Sequence, residues 1–271
     1  MLKNLETDRR PATREDQAVL VRYVGWGGIP QAFDHRNTEW RSEYQELAEL
    51  LPKEEYEAAR RSTQDAHYTA QPVIEAMYQA LGRFGYTGGR TLEPAVGSGN
   101  FVGLMPEALR ERSRVTAVEL DPVTARIAKH LYPSASIINK GFQEVTIPGG
   151  YFDLAIGNPP FGSQSVYDAH HRDISSFSIH NYFISKSLDK VRHGGLVAVV
   201  VSNYFMDARD SAARSHIADR AHLVGAIRLP NTAFKKNALT EVTTDIVFLQ
   251  KARAGEGTAG AGEAVCAIGG T

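Results

Sequence analysis

The chain has 271 residues, 42% of them hydrophobic, and a formal net charge of −1, enough apolar material for one large α/β core with a smaller appendage. That near-neutral balance argues against a protein that grips duplex nucleic acid through a strongly basic face. A single cysteine (Cys266), no apolar run near the ~18 residues of a membrane span and a charged start exclude disulfide-built, membrane-spanning and signal-bearing classes, so a cytoplasmic protein is expected.

Residues 1–66 predict a charged, helical N-terminal extension. Thr13 with Asp16 and Gln17 makes a capped start for a helix running through Val19, Leu20 and Tyr23. Gly25-Trp26-Gly27-Gly28-Ile29-Pro30 ends it, and this segment reads either as a functional loop or as aromatic packing around a turn. Trp40 to Leu51 predicts a second amphipathic helix, and Pro52 opens a third over Lys53 to Arg61.

From 67 to 251 strands alternate with helices, which predicts one α/β domain with a mostly parallel sheet. A short strand at Arg90 to Glu93 runs into Leu92-Glu93-Pro94-Ala95-Val96-Gly97-Ser98-Gly99-Asn100-Phe101, followed by a helix through Phe101 to Arg112 and a strand at Val115 to Leu120. The glycines at 97, 99 and 103 read G-x-G-x-x-x-G, which is not the dinucleotide fingerprint, and no P-loop Lys-Ser/Thr follows. Glu119, closing the second strand before Leu120, suits a ribose diol, since a carboxylate accepts two hydroxyl protons.

The next strands are Ser136 to Asn139 and Tyr151 to Gly157, and the latter runs straight into Asn158-Pro159-Pro160-Phe161. Two prolines remove two backbone donors, and Pro159 keeps Asn158 out of the helical region. The result is a stiff bend that displays an amide and a ring at the carboxyl end of a strand, the edge where ligands sit in open α/β sheets. The Asn158 side chain and the Pro159 carbonyl form a pair of acceptors suited to an –NH₂ group. Gly162 to Asn181 predicts a polar loop with His170, His171 and His180, whose spacing fits no standard metal site, so no metal is expected; closure over a substrate, helped by Tyr167 or Phe177, is the preferred role. Strands at Gly195 to Val201, Leu223 to Leu229 and Thr243 to Lys251 complete the sheet. Most basic clusters read as solvated surface, but Lys235-Lys236 beside Phe234 is placed for phosphate contact. Residues 252–271 read as a Gly/Ala-rich tail or linker.

From about His67 to Lys251 the chain resembles the S-adenosylmethionine-dependent N6-adenine DNA methyltransferases whose cofactor motifs precede Asn-Pro-Pro-aromatic. The resemblance implies a Rossmann-like class I methyltransferase sheet, with the last two strands as an antiparallel edge, and S-adenosylmethionine as cofactor. It implies that Tyr68 and Thr69 help hold the methionine end and that Glu93, Pro94, Ala95, Gly97, Gly99, Asn100 and Phe101 form the loop beneath it. Glu119 with Leu120 would take the ribose and Phe142 would flank the adenine, with Asn158 bordering both cofactor and target. The family often has an Asp just before the Phe142 position; here it is Gly141, leaving that contact to backbone or to Gln143. Asn158, Pro159, Pro160 and Phe161 are the implied catalytic residues, and Phe161, Phe234, Lys235 and Lys236 the implied contacts to a flipped adenine in DNA.

The chemistry suits these residue types. Acceptors on both N–H groups favour a tetrahedral nitrogen whose lone pair points at a methyl donor, and stacking on Phe161 and Phe234 offsets part of the cost of base extrusion. Other substrates with the same planar amine, RNA or a protein glutamine, stay open, as does a non-catalytic binding role. In this family branch a recognition domain usually follows the catalytic domain, whereas the residues after the last strand expected here read as linker. Tyr23 to Phe33 with His67-Tyr68-Thr69 resembles the start of large phage and mobile-element proteins that fuse a methylase to a helicase. A recognition or helicase module, in trans or in a longer parent, is therefore the expected partner.

Overall fold

A computed structural model describes residues 1–63, 69–230 and 243–255. Four helices precede the sheet, α1 (Leu2–Thr7), α2 (Arg14–Leu20), α3 (Arg41–Leu50) and α4 (Lys53–Ser62), with a 3₁₀ turn at Pro30–Phe33. The α2 start is a capping box: Thr13 Oγ1 accepts from the Asp16 N–H at 3.2 Å, and Asp16 Oδ2 accepts from the Thr13 N–H at 2.9 Å. Helix α5 (Gln71–Arg83) leads into β1 (Arg90–Glu93), then α6 (Asn100–Gly103), α7 (Glu107–Arg110), β2 (Arg114–Glu119), α8 (Pro122–Leu131), β3 (Ser136–Asn139) and β4 (Phe152–Gly157). The chain closes with α9 (Ile179–Lys190), β5 (Val191–Ser202), α10 (Tyr204–Asp207), α11 (Ala212–Ala218), β6 (Ala221–Arg228) and β7 (Thr244–Lys251).

The seven strands lie in the order β3-β2-β1-β4-β5-β7-β6. All neighbours are parallel except β7, which is antiparallel to both β5 and β6. This is the expected α/β sheet with an antiparallel edge. Its inner strands are buried on both faces, which is why β5 reads as an unbroken apolar run. Period-two alternation still sorts them: Ala155, Val197, Val199, Val201 and Val247 join α9 and α11 in one core, while Leu154, Ile156, Ala198, Val200 and Ile246 join α5 in the other. Each such valine or isoleucine contributes about 1.5–3 kcal/mol relative to exposure.

Several boundaries differ from expectation, among them α2, which stops at Leu20 rather than running through Tyr23. The single helix expected over Phe101 to Arg112 is two short ones, because Pro106 cannot donate and disfavours helical backbone at Met105. β5 starts at Val191 rather than Gly195, with Gly194 at φ +71° where the strand turns onto its partner. The loop after the Asn-Pro-Pro bend ends at Ser178, so His180 and Asn181 are helical.

The N-terminal extension docks on α8. Leu5 and Leu20 share a core with Val123 and Ile127. Arg126 pairs with Glu55 at 2.6 Å and Glu6 at 3.0 Å, and the Gln17 side chain donates to the His130 carbonyl at 2.9 Å.

Candidate active site

The strand order reverses between β1 and β4, so their carboxyl ends diverge into a crevice, the place where open α/β sheets bind ligands. Leu92 lies opposite Ala155, and beyond them Glu93 and the Asn158 bend leave the sheet side by side. A cavity of ≈ 510 Å³ opens there, within the range of small-molecule sites.

The loop after β1 is held from below. The Val96 N–H donates to the Val118 carbonyl at 2.9 Å, and the Gly97 N–H, at φ +55°, donates to Glu119 Oε2 at 2.8 Å. Glu119 Oε1 accepts from the Asp121 N–H at 2.8 Å, so two backbone donors fix the carboxylate at the cavity wall. Burial nonetheless pushes the Glu119 carboxyl up to about 7, the two N–H groups pulling the other way. Glu93, 2% exposed, is pushed well above the usual range by burial and then by the nearby Glu119 charge. Asp121 caps α8 by accepting from the Thr124 N–H at 2.7 Å, and burial raises its carboxyl too.

Of the residues singled out from sequence, Thr69, Glu93, Pro94, Ala95, Gly97, Asn100 and Phe101 line the cavity on one side. Glu119, Leu120, Phe142, Asn158 and Pro160 line the others. Asn158 Oδ1 is out of solvent. Gly99 faces elsewhere: at φ +85°, a Cβ there would meet the Tyr132 ring at 2.2 Å, so this glycine serves the packing of α6 on Tyr132. Pro159 is buried off the wall, and Phe161 is half-buried against the core shared with α5. Tyr68, Phe234, Lys235 and Lys236 lie outside the described residues, as do Cys266 and most of the tail.

Phe142, 2% exposed, packs on Phe183 at 5.1 Å between ring centroids. Its carbonyl accepts from the Lys186 ammonium at 2.7 Å, and the same ammonium donates to Asp168 at 2.8 Å. Asp168 also accepts from the Tyr182 hydroxyl at 2.6 Å and the His170 N–H at 2.8 Å. Burial alone would raise the Asp168 carboxyl, but Lys186, Tyr182 and the His170 N–H hold it well below the usual range. The loop after the bend is thus rooted in a buried ion pair that also grips Phe142 of the cavity wall. Tyr167 stands 69% exposed on that loop, while Phe177 turns inward against His216. His171 lies 3.2 Å from both Asp168 and Asp189.

Sequence reasoning missed several wall residues. Gly25, Trp26, Ala58, Arg61 and Ser62 come from the N-terminal extension, and Asp121, Thr124 and Gln164 from the sheet domain. Leu120-Asp121-Pro122 carried a signal, an acidic N-cap directly after Glu119; the extension residues carried none beyond the ambiguous Trp-Gly-Gly turn. Gly141 and Gln143 both reach the cavity, and a Cβ on Gly141 would meet the Gln143 amide at 2.3 Å, so Gln143 fills the space that an Asp side chain would need.

The donor set fits S-adenosylmethionine. Thr69 Oγ1, Asp121 Oδ2 and Trp26 Nε1 are buried at this wall without a hydrogen-bond partner among the described residues, as a polar ligand with both donors and acceptors requires. Two enclosed carboxyl groups, Glu93 and Glu119, are placed to ionise against its positive charge.

Strand order, antiparallel seventh strand and switch-point cavity together define a class I methyltransferase fold. Residues 105–234 match the family model described as Eco57I restriction-modification methylase. The chain is 27% identical over 254 residues to Defense against restriction protein B of Escherichia phage P1, covering 92% of this chain and 10% of that protein. It is 34% identical over 130 residues to the type II methyltransferase M.TthHB8I of Thermus thermophilus, covering 42% of this chain and 29% of that one. It therefore covers less than a third of either relative. Among solved structures, the methyltransferase subunit of a type I restriction-modification system from Streptococcus thermophilus superposes with a TM-score of 0.59 at 18% identity, over 93% of this chain and 65% of that one. A Listeria monocytogenes protein described as a class I S-adenosylmethionine-dependent methyltransferase gives 0.61 at 16% identity, over 88% and 82%. Among the described residues no helix is long and apolar enough to cross a membrane.

Proposed function

We propose that this chain transfers a methyl group from S-adenosylmethionine to the N6 amine of adenine in DNA, with the target base turned out of the helix. The observation that carries the reading is the convergence of Glu93, Glu119 and the Asn158-Pro159-Pro160 bend on one cavity at the β1/β4 switch. The cofactor supplies a methyl activated by its sulfonium. Glu119, held by two backbone N–H groups, takes the ribose hydroxyls, and Glu93 adds a second carboxyl group to the same cavity. Phe142, fixed through Lys186, flanks the adenine ring of the cofactor.

On the target side, the Asn158 amide oxygen and the Pro159 carbonyl accept the two N–H protons and orient the nitrogen lone pair. No strong base is required, because the nitrogen becomes acidic only after the methyl has arrived. Phe161 and Phe234 stack on the base, and Lys235 and Lys236 neutralise phosphate. The relatives' greater lengths support a further reading, that sequence choice in DNA comes from a recognition or helicase module in a longer parent or a partner.

The test is transfer of labelled methyl to duplex DNA, single-stranded DNA, RNA and a protein extract, with DNA products digested to nucleosides. N6-methyladenine formed by the intact chain and not by Asn158→Ala supports the reading. Label confined to RNA or protein overturns the substrate, and cofactor binding without any transfer overturns the activity.

A further inference from the structure

Trp26 stands in the cavity wall although nothing in the transfer chemistry asks for it. Its turn is tightly placed: Gly25 takes φ +71°, and the Ile29 N–H donates to the Trp26 carbonyl at 3.1 Å. The indole meets Tyr23 edge-on at 5.6 Å and 78°, and Phe33 at 5.6 Å and 88°, so its orientation is set from two sides. The Tyr23 hydroxyl bonds the Thr124 hydroxyl at 2.8 Å, which ties the turn to the first helical turn of α8. Asp121, the cap of that helix, and Leu120 share the wall with Trp26. An aromatic cluster held only for packing would leave the indole N–H in solvent or on a protein acceptor. Instead Nε1 is buried and has no acceptor among the described residues, the state of a donor reserved for a ligand.

We propose that Trp26 is a ligand-binding residue of this cavity: its indole covers the nucleoside end of the S-adenosyl cofactor beside Glu119 and Asp121, and its Nε1–H donates to an acceptor on that nucleoside. The proposal rests on the cofactor reading above and deepens it. The N-terminal extension then completes the cofactor site rather than merely lying beside it, and α8, to which Arg126 and Gln17 bind the extension, is the shared strut.

The chain has two tryptophans, Trp26 and Trp40, and Trp40 packs in the extension's own core away from the cavity. Trp40→Phe therefore leaves Trp26 as the sole indole fluorophore. This variant is titrated with S-adenosylhomocysteine, which keeps the nucleoside and lacks the transferable methyl. In parallel, calorimetry compares wild type with Trp26→Phe, which keeps most of the ring and loses the N–H. Expected are a saturable change in Trp26 emission at the calorimetric Kd and binding roughly five- to tenfold weaker in Trp26→Phe, the size of one lost neutral hydrogen bond. Transfer should show a raised KM for cofactor with kcat at saturation retained. Wild-type binding with unchanged emission overturns the proposal, and so does an unaltered Kd in Trp26→Phe. Failure of folded wild type to bind either S-adenosyl compound overturns the cofactor reading itself, a result distinguishable from the other two.

Discussion

On the β1/β2 side of the cleft, three groups at the cavity are enclosed and braced, although Leu120 in the same wall is 70% exposed. Glu93 is 2% exposed, Glu119 is pinned by two backbone N–H groups, and Phe142 is held by a buried lysine. On the β4/β5 side the side chains nearest the carboxyl ends of the strands are more open. Tyr204, directly after β5, and Tyr167, on the loop after the Asn-Pro-Pro bend, are each 69% exposed, and Phe161 is only half-buried. A small cofactor can be surrounded by a preformed wall, whereas a polymer must arrive over an open rim. The contrast agrees with the proposed site for one small and one large molecule.

The two sides meet at Lys186, whose ammonium bonds both the Phe142 carbonyl and the Asp168 carboxylate at the root of the loop after the Asn-Pro-Pro bend. Lys186→Met should have the largest effect, because it leaves Asp168 charged and buried beside Tyr182. Removing one partner of a buried pair costs about 3–5 kcal/mol, to be read from urea unfolding. Adding Asp168→Asn should return part of that loss. If the single variant unfolds like wild type, the two sides are not coupled through this pair.

Asn158→Ala should separate the sides in the opposite sense. A preorganised polar group aimed at developing charge is worth on the order of 10²–10³ in rate, so single-turnover transfer should fall by that factor while cofactor affinity stays nearly constant. Equal loss of both would place Asn158 on the cofactor wall alone.

How much of this could be read from sequence follows the same division. The strands were legible because apolar runs such as Leu154 to Ile156 and Leu196 to Val201 stop at small or polar residues, Gly157 and Ser202. The antiparallel β7 edge followed instead from the family resemblance rather than from any tight turn between β6 and β7. Glu93, Glu119 and Asn158 were legible because each directly follows or closes such a run. Gly99 was assigned to the ligand loop, yet its partner is Tyr132, some thirty residues on, and no local pattern announces a contact at that range. Trp26 and Arg61 reach the cavity only because α2 and α4 dock on α8. The Asp168–Lys186 pair was invisible for a related reason: in sequence Lys186 is one polar residue among Ser185, Ser187 and Asp189, and only the burial of α9 on the sheet makes it interior.

The cofactor side has its own pH signature. Glu119→Ala should weaken S-adenosylmethionine by ~1.5–3 kcal/mol, as expected for a charge-assisted bond, measured by calorimetry. In the ligand-free protein the Glu119 carboxyl sits at about 7 against an ordinary 4.5, and burial raises Glu93 in the same direction. Between those values the folded chain holds protons that the unfolded chain has released, so ligand-free stability should fall as pH rises from about 4.5 to 7. Cofactor affinity should move the other way, strengthening over the same interval as the ionised carboxylate becomes available, with proton release on binding near pH 6. Glu119→Ala should flatten both slopes; an unchanged affinity profile in that variant would remove Glu119 from the ribose.

The smallest effect tests whether the extension belongs to the enclosed side. Tyr23→Phe removes the hydroxyl that bonds Thr124 and leaves the edge contact to Trp26 in place. A single neutral hydrogen bond contributes about 0.5–1.5 kcal/mol, so the melting temperature should drop by only a few degrees. If the extension forms a wall of the cofactor cavity, bound S-adenosylhomocysteine should raise the melting temperature of the variant by less than that of wild type, because the ligand must then order a turn the hydroxyl no longer holds. If ligand shifts wild type and variant by equal amounts, the Tyr23 bond is independent of the cavity, and the enclosed side ends at α8.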